Sequence, residues 1–236
     1  MITRFDLQTF PLEVVLRAEA TYEEAEDTKD LYLDALLDFT LNGDVDTGFA
    51  VTPVVRWGPN FTVPSYESTL LYNGSVAPTT GPAATFYDGT IKAVNETSKM
   101  APVSLAAYSK AMRFAFEEGG PGHGFIQRFR VVPIKATREA MDIVHDSWFQ
   151  VLKETDLANT VPGFFCGIAF NAVTRTFAER SQGTPENIEV VPQFWVEESI
   201  SFSGAENEAK IDEFLQTVND RIESQLNEKD LAIRYI

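Results

Sequence analysis

Between Trp195 and Phe202 apolar and polar residues alternate with a period of two. Trp195, Glu197, Ser199 and Ser201 fall on one face, and Val196, Glu198, Ile200 and Phe202 on the other, the signature of a strand. The period then changes. Ile211, Phe214, Leu215, Val218, Ile222 and Leu226 recur at helical spacing to about Asn227, on one stripe of a helix. Ser203 and Glu206 stand before that run at the spacing of a capping box. The prediction is a strand covered on its apolar face by a long amphipathic helix. Its other face carries an indole, a carboxylate and hydroxyls, a mixture that suits a ligand cavity better than a solvent face.

The same patterns organise the rest of the chain. Residues 5–20 predict a strand bent at Pro11. Thr21 and Glu24 form a second capping-box pair, opening a helix to about Phe39 with Ala25, Tyr32, Leu36 and Phe39 inward and Asn42-Gly43-Asp44 as its stop. Residues 47–57 and 61–72 predict two strands about the turn Gly58-Pro59-Asn60. Residues 73–102 are rich in Gly, Pro, Thr and Ala and predict a long loop with a short helix at 90–95, followed by a helix over 104–118. In the second half, 125–134 predicts a strand, and Thr137 caps a helix to about Lys153. Residues 164–173 predict a strand, 174–187 a polar connection and 231–236 a final strand.

Each half reads strand, helix, strand, strand, helix. Two such ferredoxin-like units predict an α+β fold: one antiparallel sheet of about seven strands with helices on one face. The chain is then a single domain of pseudo-halves 1–120 and 121–236.

Composition narrows the function. The 236 residues are 44% hydrophobic with 18 Phe, enough for a sizeable core. With 19 Lys+Arg against 35 Asp+Glu the net charge is −16, which argues against nucleic acid and anionic membranes as partners. No apolar run approaches the roughly 20 residues of a membrane span, and residues 1–20 lack signal-peptide features. The expectation is a cytoplasmic protein, in which the sequons at Asn60, Asn73 and Asn95 are chance matches. The single cysteine, Cys166, excludes an internal disulfide and reads as a buried thiol. His123 and His145 lack partners at metal-ligand spacing, which argues against zinc.

Candidate chemistry gathers on the Trp195 face. Glu197, beside an indole, is the candidate base for proton abstraction; the alternative is an exposed residue paired with a cation. Trp195 and Gln193 would stack on and hydrogen-bond a planar ligand, with Ser199 beside them; for Trp195 ordinary sheet packing is the alternative. Asn171 would bond a ligand carbonyl or cap its strand. Arg56 and Trp57, near a strand end, would hold a carboxylate or enolate, or Arg56 would form a surface salt bridge. Parity on the strand after Phe125 assigns the two phenylalanines Phe125 and Phe129 to the helices and turns Arg128 towards the cavity, to pair Glu197 or to be solvated. No Ser-His-Asp or Cys-His arrangement is present.

Several segments also carry a resemblance. Thr3-Arg-Phe-Asp-Leu7, Gly124-Phe-Ile-Gln-Arg-Phe-Arg130, Phe170-Asn-Ala-Val173, the strand and helix over 194–219 and Ala232-Ile-Arg-Tyr-Ile236 together resemble the substrate-binding half of fungal berberine-bridge-type FAD-linked oxidoreductases, of the vanillyl-alcohol-oxidase-like superfamily. The resemblance implies that Glu197 stands where that family carries a Gln or Glu facing flavin and substrate. The departures are specific. The chain starts where the flavin domain would end and stops before the family's Tyr-x-Asn segment. His123, His145 and Cys166 do not match the family's flavin-anchoring residues, and Gly119-Gly120-Pro121-Gly122 ends a helix rather than opening one. The chain alone is therefore expected to hold no FAD. The expected function is a stand-alone domain of secondary metabolism that binds a hydrophobic small molecule, acting as a flavin-free cyclase or isomerase with Glu197 as base. One alternative is a substrate-binding subunit whose flavin domain is on another chain. The other is a non-catalytic module that forms a homodimer, or binds a flavin-domain partner, through its exposed sheet face.

Overall fold

The computed structural model describes residues 14–114, 116–120, 122–184 and 188–233. The Thr3–Leu7 motif, the bend expected at Pro11 and the last three residues lie outside the described residues. In chain order the elements are β1 (Val14–Thr21), α1 (Thr28–Asn42), β2 (Phe49–Trp57), β3 (Ser65–Tyr72), β4 (Ala101–Ser104), α2 (Leu105–Arg113) and β5 (Ile126–Lys135). There follow α3 (Arg138–Thr155), α4 (Leu157–Thr160), β6 (Phe165–Val173), α5 (Arg175–Arg180), β7 (Gln193–Phe202) and α6 (Glu208–Glu228). All pairings are antiparallel, in one seven-stranded sheet of order β4-β1-β3-β2-β6-β7-β5. The fold is the α+β arrangement that the sequence predicts.

The sheet is continuous because the two halves join at β2 and β6, where Val55 faces Ile168, Arg56 faces Gly167 and Trp57 faces Cys166. Gly167 permits that approach: a Cβ there would lie 3.1 Å from the Val55 carbonyl oxygen and 3.2 Å from Val54 Cγ1, closer than ordinary side-chain contact.

The long helices α1, α3 and α6 cover one face. Thr137 begins α3 as expected, its hydroxyl accepting the Ala140 N–H at 3.2 Å. Trp148 of α3 meets Phe214 of α6 edge-on, with ring centroids 5.0 Å apart, and both are buried. Ile211, Val218, Ile222 and Leu226 complete the buried stripe of α6, and each such side chain contributes roughly 1.5–3 kcal/mol of burial. From β7 the face receives Val196, Glu198, Ile200 and Phe202, all buried.

Local detail departs from the sequence reading in a few places. Thr21 does not cap a helix. It ends β1, with its N–H donating to Asn95 Oδ1, and Tyr22 bridges to Ala93; the helix therefore starts at Thr28 and leaves Ala25 exposed. Ser203 likewise makes no cap. Its N–H goes to the Pro162 carbonyl, Gly204 turns the chain at φ 83°, and a short 3-10 turn leads into α6. The loop 73–102 holds 3-10 turns at 84–86 and 96–98 instead of a helix at 90–95, and β4 follows it. The connection after β6 contains α5, begun by the Thr174 hydroxyl. Of the expected final strand, Ala232 bridges to Ile134 and the Lys135 N–H donates to the Leu231 carbonyl at 3.0 Å, while residues 234–236 lie outside the described residues.

Candidate functional site

Among the described residues, the sheet face opposite the long helices is left largely open in its middle. Strand pairing places Ala169 and Val131 on either side of Glu197, Asn171 and Pro133 beside Trp195, and Gly167 and Phe129 beside Ser199. Asn171, Trp195, Glu197 and Ser199 are half-buried and form a continuous strip across β6 and β7. Beyond them on β5, Phe129 is 62% and Val131 41% exposed, large apolar side chains that a solvent face rarely groups.

Glu197 therefore has an alanine and a valine as its lateral neighbours, and among the described residues no ion pair is made by it. The adjacent Glu198 points into the helix layer and is fully buried. Desolvation pushes its carboxyl up to about 7, against the lowering effects of the Asn219 hydrogen bond and of Arg130. Asn219 Nδ2 donates to Glu198 Oε2 at 2.8 Å, while Oε1 has no partner.

One end of the strip is closed by α5 and residues 188–192. Val173, Ala178 and Ile188 form a small buried cluster against which Trp195 packs. Gln193 is buried beneath it and fully engaged: its amide donates to the Glu189 carbonyl at 3.1 Å and its Oε1 accepts the Trp195 indole N–H at 3.2 Å. Gln193 thus orients Trp195 and has little left for a ligand, and Trp195 offers a ring rather than an N–H. Ser199 is similarly occupied, its hydroxyl donating to the Gly167 carbonyl at 3.3 Å.

Two expected neighbours sit elsewhere. Trp57 belongs to the helix face, buried against Phe149 at 5.9 Å with the Lys153 ammonium over its ring. Arg128 also lies on the helix side. It pairs with Glu208 and Asp212 of α6 and lies over the Phe202 ring, while Phe129 takes the open face. The parity of β5 is thus the reverse of the one chosen from its phenylalanines. As an edge strand, β5 lets its arginines reach past the helix layer to acidic α6; Arg130 does so with Glu223 at 2.9 Å.

Arg56 is on the open face. Its Nε donates to Glu67 Oε2 at 2.7 Å and its guanidinium lies over the Phe165 ring at 5.6 Å. From there a groove of about 370 Å³ runs over β2, β3 and β1 to α2, lined among others by Thr52, Glu67, Thr69, Thr21 and Tyr108. The alternation of Glu67 with Thr69, and of Glu19 with Thr21, carried a period-two signal for that face. Nothing local could have shown that α2 closes it.

Among the described residues, the groups that FAD binding would call on do not fit it. Gly204 is the glycine that precedes an α-helix, and Glu206 and Glu208 follow it, placing negative charge where a pyrophosphate would sit. Cys166 is buried, and burial raises its thiol far above the usual range. His145 is 5% exposed and bonded on both ring nitrogens. No group of His, Cys, Asp and Glu among the described residues could hold a metal ion, and no helix there is long and apolar enough to cross a membrane.

No family model matches the chain, and no curated protein matches it. Solved structures do. A glycopeptide hexose oxidase complexed with teicoplanin superposes with a TM-score of 0.59 at 10% identity, covering 91% of this chain and 42% of that one. Berberine bridge enzyme from Eschscholzia californica gives 0.54 at 14% identity, over 94% of this chain and 41% of that one. CrmK, a flavoenzyme of caerulomycin biosynthesis, gives 0.57 at 12% identity, over 91% and 43%. The chain therefore has the fold of part of the berberine bridge enzyme-like FAD-linked oxidoreductases and spans less than half the length of those relatives.

Proposed function

We propose that this chain is a substrate-binding unit of the FAD-linked oxidoreductase type, taking a largely apolar organic molecule of secondary metabolism against the open face of its sheet. The observation that carries the proposal is the setting of Glu197, a carboxylate on a half-buried strip between Ala169 and Val131, two residues from the ring of Trp195. Trp195 gives a flat ligand a surface to stack on, and Asn171 gives it a polar contact. Arg56, held by Glu67 at the head of the groove, supplies positive charge for an anionic or enolate oxygen.

The step these residues can perform unaided is a proton transfer. Glu197 removes a proton from a carbon acid held against Trp195 and returns it at another position. That isomerises or cyclises the ligand with no net change in its oxidation level. The described residues do not fit flavin; in an oxidising assembly, flavin would come from beyond them.

A second reading, in which a protein covers the face, is favoured by the exposure of Phe129 and Val131. The partner would be a second copy or a separate flavin-binding chain.

A visible absorbance scan of the purified protein with and without added FAD, run beside its solution mass, separates these readings. The proposal predicts a monomer with no flavin band that binds small aromatic ligands. A flavin spectrum retained through gel filtration contradicts the assignment of cofactor binding, and a tight dimer that excludes ligands favours the covered face.

A further inference from the structure

Asparagine stands directly before glycine twice in the chain, at Asn42-Gly43 and at Asn73-Gly74. Such a pair can lose its side-chain amide without a catalyst. The glycine nitrogen lies within reach of the asparagine side-chain carbonyl carbon, and no Cβ shields it. Attack requires an asparagine side chain free to turn and a glycine N–H not already committed to a hydrogen bond. The fold treats the two pairs in opposite ways.

Asn42 is the last residue of α1, and its Nδ2 donates to Asp38 Oδ1 at 2.6 Å. The Gly43 N–H is taken by the Phe39 carbonyl, and Gly43 is itself buried. A Cβ on Gly43 would lie 3.1 Å from Phe39 Cδ2, so the glycine is pressed against that ring. Amide and nucleophile are both held.

Asn73 directly follows β3 and is exposed. Its own N–H donates to the Gly48 carbonyl at 2.9 Å, which fixes the backbone on the amino side of the residue only. Among the described residues, neither its side-chain amide nor the Gly74 N–H has a hydrogen-bond partner. Packing requires a glycine at 74, since a Cβ there would overlap Tyr72 Cε1. The Tyr72 ring is stacked on Phe49 with centroids 4.4 Å apart, which holds it in place. The packing that excludes a side chain at 74 thus leaves the glycine nitrogen bare.

We propose that Asn73 is a modification site, where the folded protein deamidates spontaneously and forms isoaspartate. The Gly74 nitrogen attacks Asn73 Cγ and a C–N bond closes the ring. The Cγ–Nδ2 bond breaks, and the amide leaves as ammonia, carrying the proton of the Gly74 N–H. Water then opens the cyclic imide at either carbonyl. Opening at Cγ leaves aspartate; opening at the main-chain carbonyl leaves isoaspartate, whose backbone runs through Cβ and Cγ. Either product adds a carboxylate beside the start of β2, where Asp46 already accepts the Gly48 N–H at 2.9 Å. Isoaspartate also lengthens the link from β3 to the loop that buries Phe86 and Ile91. The site stands apart from the Glu197 strip and does not depend on the function proposed for it.

The test ages the whole protein in mildly alkaline buffer, folded and in urea. Each Asn-Gly peptide is followed by the mass change of NH2 replaced by OH and by labelling with an isoaspartyl methyltransferase. In the folded protein Asn73 is expected to convert at least about tenfold faster than Asn42. In urea the two are expected to convert at similar rates, because the protection of Asn42 comes from the fold. Asn73→Gln, whose longer side chain closes a ring far more slowly, is expected to abolish the fast conversion, and Asn42→Gln to leave it unchanged. Conversion of Asn42 as fast as Asn73 in the fold, the same ratio in urea as in the fold, or fast isoaspartate formation persisting in Asn73→Gln overturns the proposal.

Discussion

The Glu198 carboxylate accepts one hydrogen bond, from Asn219 Nδ2 at 2.8 Å, and is otherwise enclosed in the layer between sheet and helices. It lies one residue from Glu197 and on the opposite face. The adjacent carboxylates are thus divided between an apolar interior and an open surface.

That division makes stability depend on pH in a definite direction. In the unfolded chain Glu198 titrates near 4.5, and in the fold at about 7. Between those values the unfolded chain has released the proton and the fold still holds it, so stability falls as pH rises. The loss is on the order of 3 kcal/mol across that window. Glu198→Gln is predicted to flatten the change in urea midpoint between pH 5 and pH 8. An unaltered slope in that variant would place the dependence elsewhere.

Glu197→Gln is predicted to behave quite differently. The residue is half-buried and makes no ion pair among the described residues, so unfolding free energy should move by no more than about 0.5 kcal/mol. Ligand affinity should persist while any turnover is lost. A large drop in stability would show that Glu197 serves the fold.

Gln193→Ala removes the acceptor for the Trp195 N–H and the donor to the Glu189 carbonyl, leaving buried groups without partners. A loss of about 1–3 kcal/mol is expected, with greater acrylamide quenching of Trp195. Trp57 and Trp148 are 6% and 0% exposed and contribute little to that signal.

At the junction of the halves, Gly167→Val forces a side chain against Val54 and the Val55 carbonyl. Overpacking there is expected to cost about 1–3 kcal/mol or more, read as a lowered denaturant midpoint. An unchanged midpoint would mean that β2 and β6 can separate without penalty.

Much of the fold could be read from the sequence because its signals are local. The stripe of α6, the Thr137 cap and the alternation of β7 depend on residues a few positions apart, and each holds. The two capping boxes fail because competitors arrive from far along the chain: Asn95 takes the Thr21 N–H, and the Pro162 carbonyl takes the Ser203 N–H. β4 is four residues long, and its partner β1 lies far upstream, so no window of sequence contains its stabilising contacts. The face of β5 was misassigned because Phe129 was given to the core on hydrophobicity. An edge strand lets Arg128 pass beside the helices to Glu208 and Asp212. On the candidate strip, parity placed Trp195, Glu197 and Ser199 together, but it could not show that Asn171 pairs beside Trp195, that Gln193 is occupied or that Trp57 faces the other way.

The most direct measurement is acrylamide quenching of tryptophan fluorescence during titration with flat aromatic phenols, in the wild type and in Glu197→Gln. Ligand binding on the strip predicts saturable protection of Trp195 in both proteins. If no ligand protects Trp195 while FAD or a second copy of the chain does, the open face is a docking surface and the small-molecule site lies elsewhere.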